Sequence, residues 1–183
     1  MGKFQFIKTD IEDLYEIETA KFGDARGYFM ETYNEEDFHK AGLTMRFVQA
    51  NESCSCKGVL RGLHFQKNFP QGKLVRCTKG EVFDVAVDLR EGSSTYGKWH
   101  GVYLSEKNKK QFYVPEGFAH GFYVISDVAT FVYHVTNLYH PEDEGALRWN
   151  DPDIGIKWPL IQGLEVLLSE KDQKNPFFAE LKK

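Results

Sequence analysis

Gly80-Glu-Val-Phe-Asp-Val-Ala-Val-Asp-Leu89 is the stretch that decides the fold class. Phe83, Val85, Val87 and Leu89 share one parity, while Asp84 and Asp88 share the other. A period of two marks a strand with one face on a core and the other towards solvent. Working outward, residues 58–66, 73–78, 101–104, 111–114, 121–125 and 129–137 read in the same way. Turn clusters divide them, among them Asn68-Phe-Pro-Gln-Gly72, Glu91-Gly-Ser-Ser94 and Pro115-Glu-Gly117. Many short strands in one continuous block indicate a sandwich or barrel, not alternating strand–helix units. Helices are few. Asn34 reads as a cap, Glu35, Glu36 and Asp37 as an acidic first turn and Gly42 as the stop, so a short helix is expected over 35–41. From about His140 the chain reads as irregular packing segments, with Ser169-Glu-Lys-Asp172 as an N-cap before a single helical turn.

The composition agrees with this. The chain has 183 residues, one domain's worth, with 42% hydrophobic and 27% charged residues, which excludes disorder and collagen-like repeats. Aromatics reach 15%, including fifteen Phe and nine Tyr, and flat side chains favour strands. A net charge of -4 offers no broad attraction for nucleic acid. No apolar run approaches the roughly 20 residues of a membrane span, and the opening Met1-Gly-Lys-Phe-Gln-Phe-Ile-Lys-Thr-Asp10 lacks an export h-region. Cys54, Cys56 and Cys77 are an odd, sparse set, read as reduced thiols of a cytoplasmic protein. Cys54-x-Cys56 lacks the two further ligands that a tetrahedral metal site requires. The expected organisation is all-β: one domain over 1–183, with a core barrel at about 45–140 and terminal strands and segments packed on it.

Two segments place reactive side chains beside backbone punctuation: Gly58-Val-Leu-Arg-Gly-Leu-His-Phe-Gln66, followed by Gln71-Gly-Lys-Leu-Val75, and Pro115-Glu-Gly-Phe-Ala-His-Gly121. Either histidine alone fits a hydrogen-bonded core residue as well as a functional one. A phosphate loop is excluded at Gly72-Lys73, because Leu74 stands where Ser or Thr is needed and Lys67 where Gly is needed.

Gly58 with His64, and Pro115-x-Gly-x-x-His120, resemble the two halves of the cupin metal motif. The departures matter. Gln66 stands where a metal-binding cupin has its second histidine, and Pro70-Gln71-Gly72 offers no counterpart to the usual Glu. Two imidazoles fall short of three protein ligands, so the resemblance is to a metal-free cupin, a jelly-roll barrel with a few short peripheral helices. Within cupins the chain resembles the dTDP-4-dehydrorhamnose 3,5-epimerases over nearly its whole length. The matching stretches are Asp24-Ala-Arg-Gly-Tyr-Phe-Met-Glu31, Gln49-Ala-Asn51, Val59-Leu-Arg-Gly-Leu-His-Phe-Gln66, Gln71-Gly-Lys-Leu-Val75, Phe118-Ala-His-Gly-Phe122, Tyr133, Tyr139-His-Pro-Glu142, Trp149-Asn-Asp-Pro152 and Leu168-Ser-Glu-Lys-Asp172.

That resemblance implies inversion of C3 and C5 beside the C4 ketone of dTDP-4-dehydro-6-deoxy-D-glucose, with no cofactor and no metal. It implies His64 as base paired with Asp172, Tyr133 as the acid on the opposite face, and Lys73 as the cation at the enolate oxygen. A free imidazole titrates at about 6.5 and a phenol at about 10, so each is in the required state at neutral pH. Ser169 and Asp172 also fit a capping box, which leaves capping open as the role of Asp172. His120 is expected to hold the sugar or orient its neighbours. Arg26, Arg61 and Lys171 are implied for the diphosphate and sugar end, Phe29 and Tyr139 for the thymine faces, and Glu31, Gln49, Asn51 and Glu144 for polar contacts. The segment carrying Arg26, Glu31, Gln49 and Asn51 is implied to reach a neighbouring subunit's pocket, hence a homodimer with shared sites. Arg61 and His64 have opposite parity, so a bulge or twist is expected at Gly62 to turn both inward. Inversion at only one carbon, a metal-dependent cupin, and a non-catalytic sugar-nucleotide binding module remain alternatives.

Overall fold

A computed structural model of the chain describes residues 3–181. In chain order its strands are Phe4–Lys8 (β1), Tyr15–Thr19 (β2), Phe22–Asp24 (β3), Gly27–Phe29 (β4), Gln49–Cys56 (β5), Leu60–Gln66 (β6), Lys73–Lys79 (β7), Glu81–Asp88 (β8), Trp99–Ser105 (β9), Gln111–Val114 (β10), Phe118–Val124 (β11), Val128–Val135 (β12) and Glu144–Ala146 (β13). The helices are Glu35–Lys40 (α1) and Phe178–Leu181 (α2). None described is long and apolar enough to cross a membrane.

Six strands form one sheet in the order β1-β2-β10-β7-β12-β5, and five form a second in the order β13-β6-β11-β8-β9. All pairings within the two sheets are antiparallel. The sheets close on a shared apolar cluster, with Val75, Phe112 and Phe131 from the first and Val82, Ala86 and Phe122 from the second. This is the expected jelly-roll barrel. Burying such side chains stabilises the fold by roughly 1.5–3 kcal/mol each.

Each sheet also has a covered outer face. On the six-stranded sheet, Ile17, Leu74 and Tyr113 lie under α1, whose Phe38 is fully buried. The helix begins as the sequence indicates, with Asn34 Oδ1 accepting the Asp37 N–H at 3.2 Å. On the five-stranded sheet, Leu63, Phe83, Val85 and Val87 lie under a C-terminal segment that contributes Leu147, Ile154 and Phe178.

That C-terminal cover corrects the reading of β8 as half-buried. The alternation is present, but Asp84 and Asp88 are both 0% exposed. Charge on the inner face is tolerated because each carboxylate is partnered. Asp88 accepts from Ser93 Oγ at 2.7 Å, Thr95 Oγ1 at 2.6 Å and the Arg90 guanidinium at 3.0 Å. Although burial opposes its charge, these bonds hold its carboxyl at about 2.

Candidate active site

The bulge expected at Gly62 is present. The pairing of β11 with β6 slips between His120 and Phe122, and Gly62 takes a positive φ of +123°. A Cβ at Gly62 would stand 2.7 Å from the Gly121 Cα, so the two paired strands approach this closely because both positions lack side chains. The slip brings both Arg61 and His64 to one cavity of about 570 Å3. Arg61 Nε donates to Ser55 Oγ at 3.0 Å.

His64 projects from the five-stranded sheet, with its side chain 30% exposed in the cavity. Its Nε2 lies 2.6 Å from Asp172 Oδ1. An ionised carboxylate can only accept, so Nε2 carries the hydrogen and Nδ1 keeps the lone pair. Asp172 is buried at the start of a short 3-10 turn, where its two oxygens face different partners. Ser169 Oγ donates to Oδ2 at 2.9 Å and accepts the Asp172 N–H at 3.0 Å, while Oδ1 faces His64. Burial works against its charge, but hydrogen bonds from His64, Ser169 and Asn175 outweigh burial and keep the carboxyl below its usual range.

Tyr133 and Lys73 enter the cavity from the facing six-stranded sheet, on β12 and β7. Burial raises the Tyr133 phenol, with Arg61 opposing, so it holds its proton at neutral pH. Lys73 is buried, not a solvated surface charge, and its Nζ is 3.4 Å from the His64 carbonyl oxygen. Burial pushes its ammonium down to about 8, with the Asp84 carboxylate opposing.

His120 is not free in the pocket. Its Nε2 is hydrogen-bonded with Asp84, with Oδ1 at 2.9 Å and Oδ2 at 3.0 Å, and the pair is buried. Burial raises the Asp84 carboxyl despite the facing His120 and Lys73. Among the described residues no three His, Cys, Asp or Glu side chains cluster as a metal site would require.

Tyr139, Glu144 and Lys171 line the cavity mouth, where Lys171 Nζ is ion-paired with Glu144. Five other expected residues do not line it. Arg26 is exposed and paired with Asp24, Phe29 is 67% exposed on β4, and Glu31 is bonded to Lys3. Gln49 and Asn51 stand beside the mouth: the Gln49 amide donates to Asn51 Oδ1 at 2.8 Å and accepts the Tyr139 N–H at 3.2 Å.

A profile of the dTDP-4-dehydrorhamnose 3,5-epimerase family matches residues 8–180. The chain belongs to that family. The epimerase is 56% identical over 173 residues to the dTDP-4-dehydrorhamnose 3,5-epimerase of Methanothermobacter thermautotrophicus, covering 94% of each chain. It superposes on the crystal structure of the Elizabethkingia anophelis enzyme of the same name with a TM-score of 0.93, at 51% identity and 98% coverage of both chains. A Legionella pneumophila dTDP-6-deoxy-D-glucose-3,5-epimerase, in complex with dTDP-4-keto-L-rhamnose, gives 0.92 at 50% identity, covering 95% and 92% of the two chains.

Two groups at or behind the cavity wall of the epimerase escape a reading of sequence alone. Asp84 alternates like a solvent-facing residue, yet it anchors His120. The Ser53 hydroxyl lines the cavity as a buried oxygen with no hydrogen-bond partner among the described residues, on a strand too polar to show an apolar alternation. Lys73 makes a measurable statement. Were its ammonium to serve the reaction, turnover would decline as pH rises through about 8 and the amine deprotonates. A pH–rate profile that stays flat to about pH 10, where an ordinary lysine titrates, would remove the ammonium from the reaction.

Proposed function

We propose that this chain inverts C3 and C5 of dTDP-4-dehydro-6-deoxy-D-glucose to give dTDP-4-dehydro-L-rhamnose, with His64 as base, Tyr133 as acid and Lys73 as the electrostatic partner of the ketone. The observation that carries the reading is that the imidazole and the phenol enter one cavity from facing sheets. Substrate and product are epimers, so no oxidation state changes and the reaction consists of proton transfers alone.

At each carbon in turn, His64 Nδ1 takes the hydrogen next to the C4 carbonyl. The C–H electron pair moves into the ring and onto the C4 oxygen as an enolate, where the Lys73 ammonium compensates the charge. The Tyr133 O–H then delivers a proton to the opposite face as the carbonyl reforms, and solvent returns the imidazolium and phenolate to their starting states. Asp172 stabilises the imidazolium and preserves the tautomer that leaves Nδ1 free. The buried His120–Asp84 pair supports the sugar from the cavity wall.

The nucleotide lies towards the mouth, with Arg61 and Lys171 as cations for the diphosphate, Tyr139 against the thymine and Glu144 as a polar contact. Arg26, Phe29 and Glu31 act across a homodimer, a reading supported by the exposed β3–β4 hairpin with Phe22, Tyr28 and Phe29 uncovered. Gln49 and Asn51 complete the polar edge. A single-chain mass at sedimentation equilibrium would remove the shared site. The reaction is tested by incubating enzyme and substrate in deuterium oxide and following the sugar by NMR. Deuterium at both C3 and C5 is expected; incorporation at neither carbon overturns the reading, and incorporation at one narrows the activity to that centre.

A further inference from the structure

Gln66, the departure from the cupin metal pattern, takes no part in these proton transfers, yet its side chain is buried two residues beyond His64. A primary amide has two N–H donors and a carbonyl acceptor. Nε2 donates to the Phe69 carbonyl at 2.6 Å and the Leu138 carbonyl at 3.1 Å, and Oε1 accepts the His140 N–H at 2.8 Å. Two carbonyls and one N–H also settle the amide's orientation, since the flipped amide would oppose like groups.

These partners belong to two separate stretches, residues 67–72 between β6 and β7 and residues 136–143 between β12 and β13. Asp143 ties the same two together, accepting from the Asn68 N–H, Asn68 Nδ2 and the Phe69 N–H at 2.6–3.0 Å. Asn137 Nδ2 donates to the Pro70 carbonyl at 2.7 Å, and Phe69 stacks on His140 with centroids 4.2 Å apart. Tyr139 sits between Leu138 and His140, whose backbones Gln66 grips, while Tyr139 itself is 50% exposed and lines the cavity. Glu144 follows Asp143 directly.

We propose that Gln66 is a positioning residue which, with Asp143, sets the backbone from which Tyr139 and Glu144 meet the nucleotide. The inference rests on the reading that the nucleotide lies against Tyr139. A ring carried on a loose loop loses backbone freedom when a ligand orders it, and a loop already clasped avoids that loss. The contribution therefore belongs to binding and not to the chemical step, which separates it in KM against kcat.

The test uses the full chain, with dTDP as the probe and four variants: Gln66→Leu, Asp143→Asn, Tyr139→Ala and Gln66→Leu with Tyr139→Ala. Gln66→Leu is expected to weaken dTDP binding and raise substrate KM together by about tenfold, with kcat within about threefold of the parent. The double variant should bind no worse than Tyr139→Ala, because Gln66 acts through that ring. Additive losses, or a fall in kcat with dTDP binding unchanged, overturn the proposal. Normal dTDP binding by Tyr139→Ala overturns the placement of the nucleotide and the clasp with it, whereas weak binding by Tyr139→Ala and normal binding by Gln66→Leu overturns the clasp alone. Where Gln66→Leu does not fold, Asp143→Asn decides: its amide turns an N–H towards the Asn68 and Phe69 N–H groups, so unchanged dTDP binding by the folded variant overturns the proposal.

Discussion

Replacing His64 with Asn is expected to lower kcat about a thousandfold, since a positioned base contributes about 10²–10⁴ to proton removal. Solvent deuterium should no longer enter the sugar at either carbon, while dTDP still binds. The reason lies in how the imidazole is held. Its Nε2 is occupied by Asp172 at 2.6 Å, which leaves Nδ1 as the nitrogen able to accept a proton. Asp172→Asn probes the pair from the other side. The amide oxygen still accepts the Nε2 hydrogen, but the charge that stabilises the imidazolium is gone, so a loss of roughly a hundredfold is expected. Deuterium entering the sugar at the parental rate in the His64 variant would take the base away from this residue.

Tyr133→Phe should produce a different failure. The base and the Lys73 cation are untouched, so hydrogen exchange continues within about tenfold of the parent. Without a donor on the facing sheet, protons return from the side they left, and formation of inverted product falls by about a hundredfold or more. The pairing of persistent exchange with missing inversion is diagnostic, because damage to binding would lower both together. Inverted product at the normal rate would show that the second proton comes from elsewhere.

The strands were legible where their apolar residues alternate. β8 and β12 announce themselves, and the short helix at 35–41 is marked by Asn34 and Gly42. The polarity of β8's surroundings was not legible. Parity separates Asp84 from Val85 but does not say which face meets the barrel, and a C-terminal cover 60 or more residues away in sequence buries the apolar one. β5 stayed hidden for a related reason. Its inward residues are Gln49, Asn51, Ser53 and Ser55, all polar, with Ser53 lining the cavity, so no hydrophobic rhythm runs along it. The bulge could be deduced because Arg61 and His64 conflict in parity across a glycine. By contrast, the union of His120 with Asp84 depends on the pairing of β11 with β8, a contact no local pattern encodes. The resemblance to known epimerases supplied the partners that spacing could not, Asp172 above all.

The stretch that roofs the five-stranded sheet also delivers Asp172, 108 positions beyond the histidine it serves. One segment thus both shelters the barrel and supplies the carboxylate that faces His64. The strands β5 to β12 carry His64, Lys73 and Tyr133 without the carboxylate, and the imidazole gains its acidic neighbour from the tail. A truncation that uncovers that sheet therefore also strips the imidazole of its carboxylate.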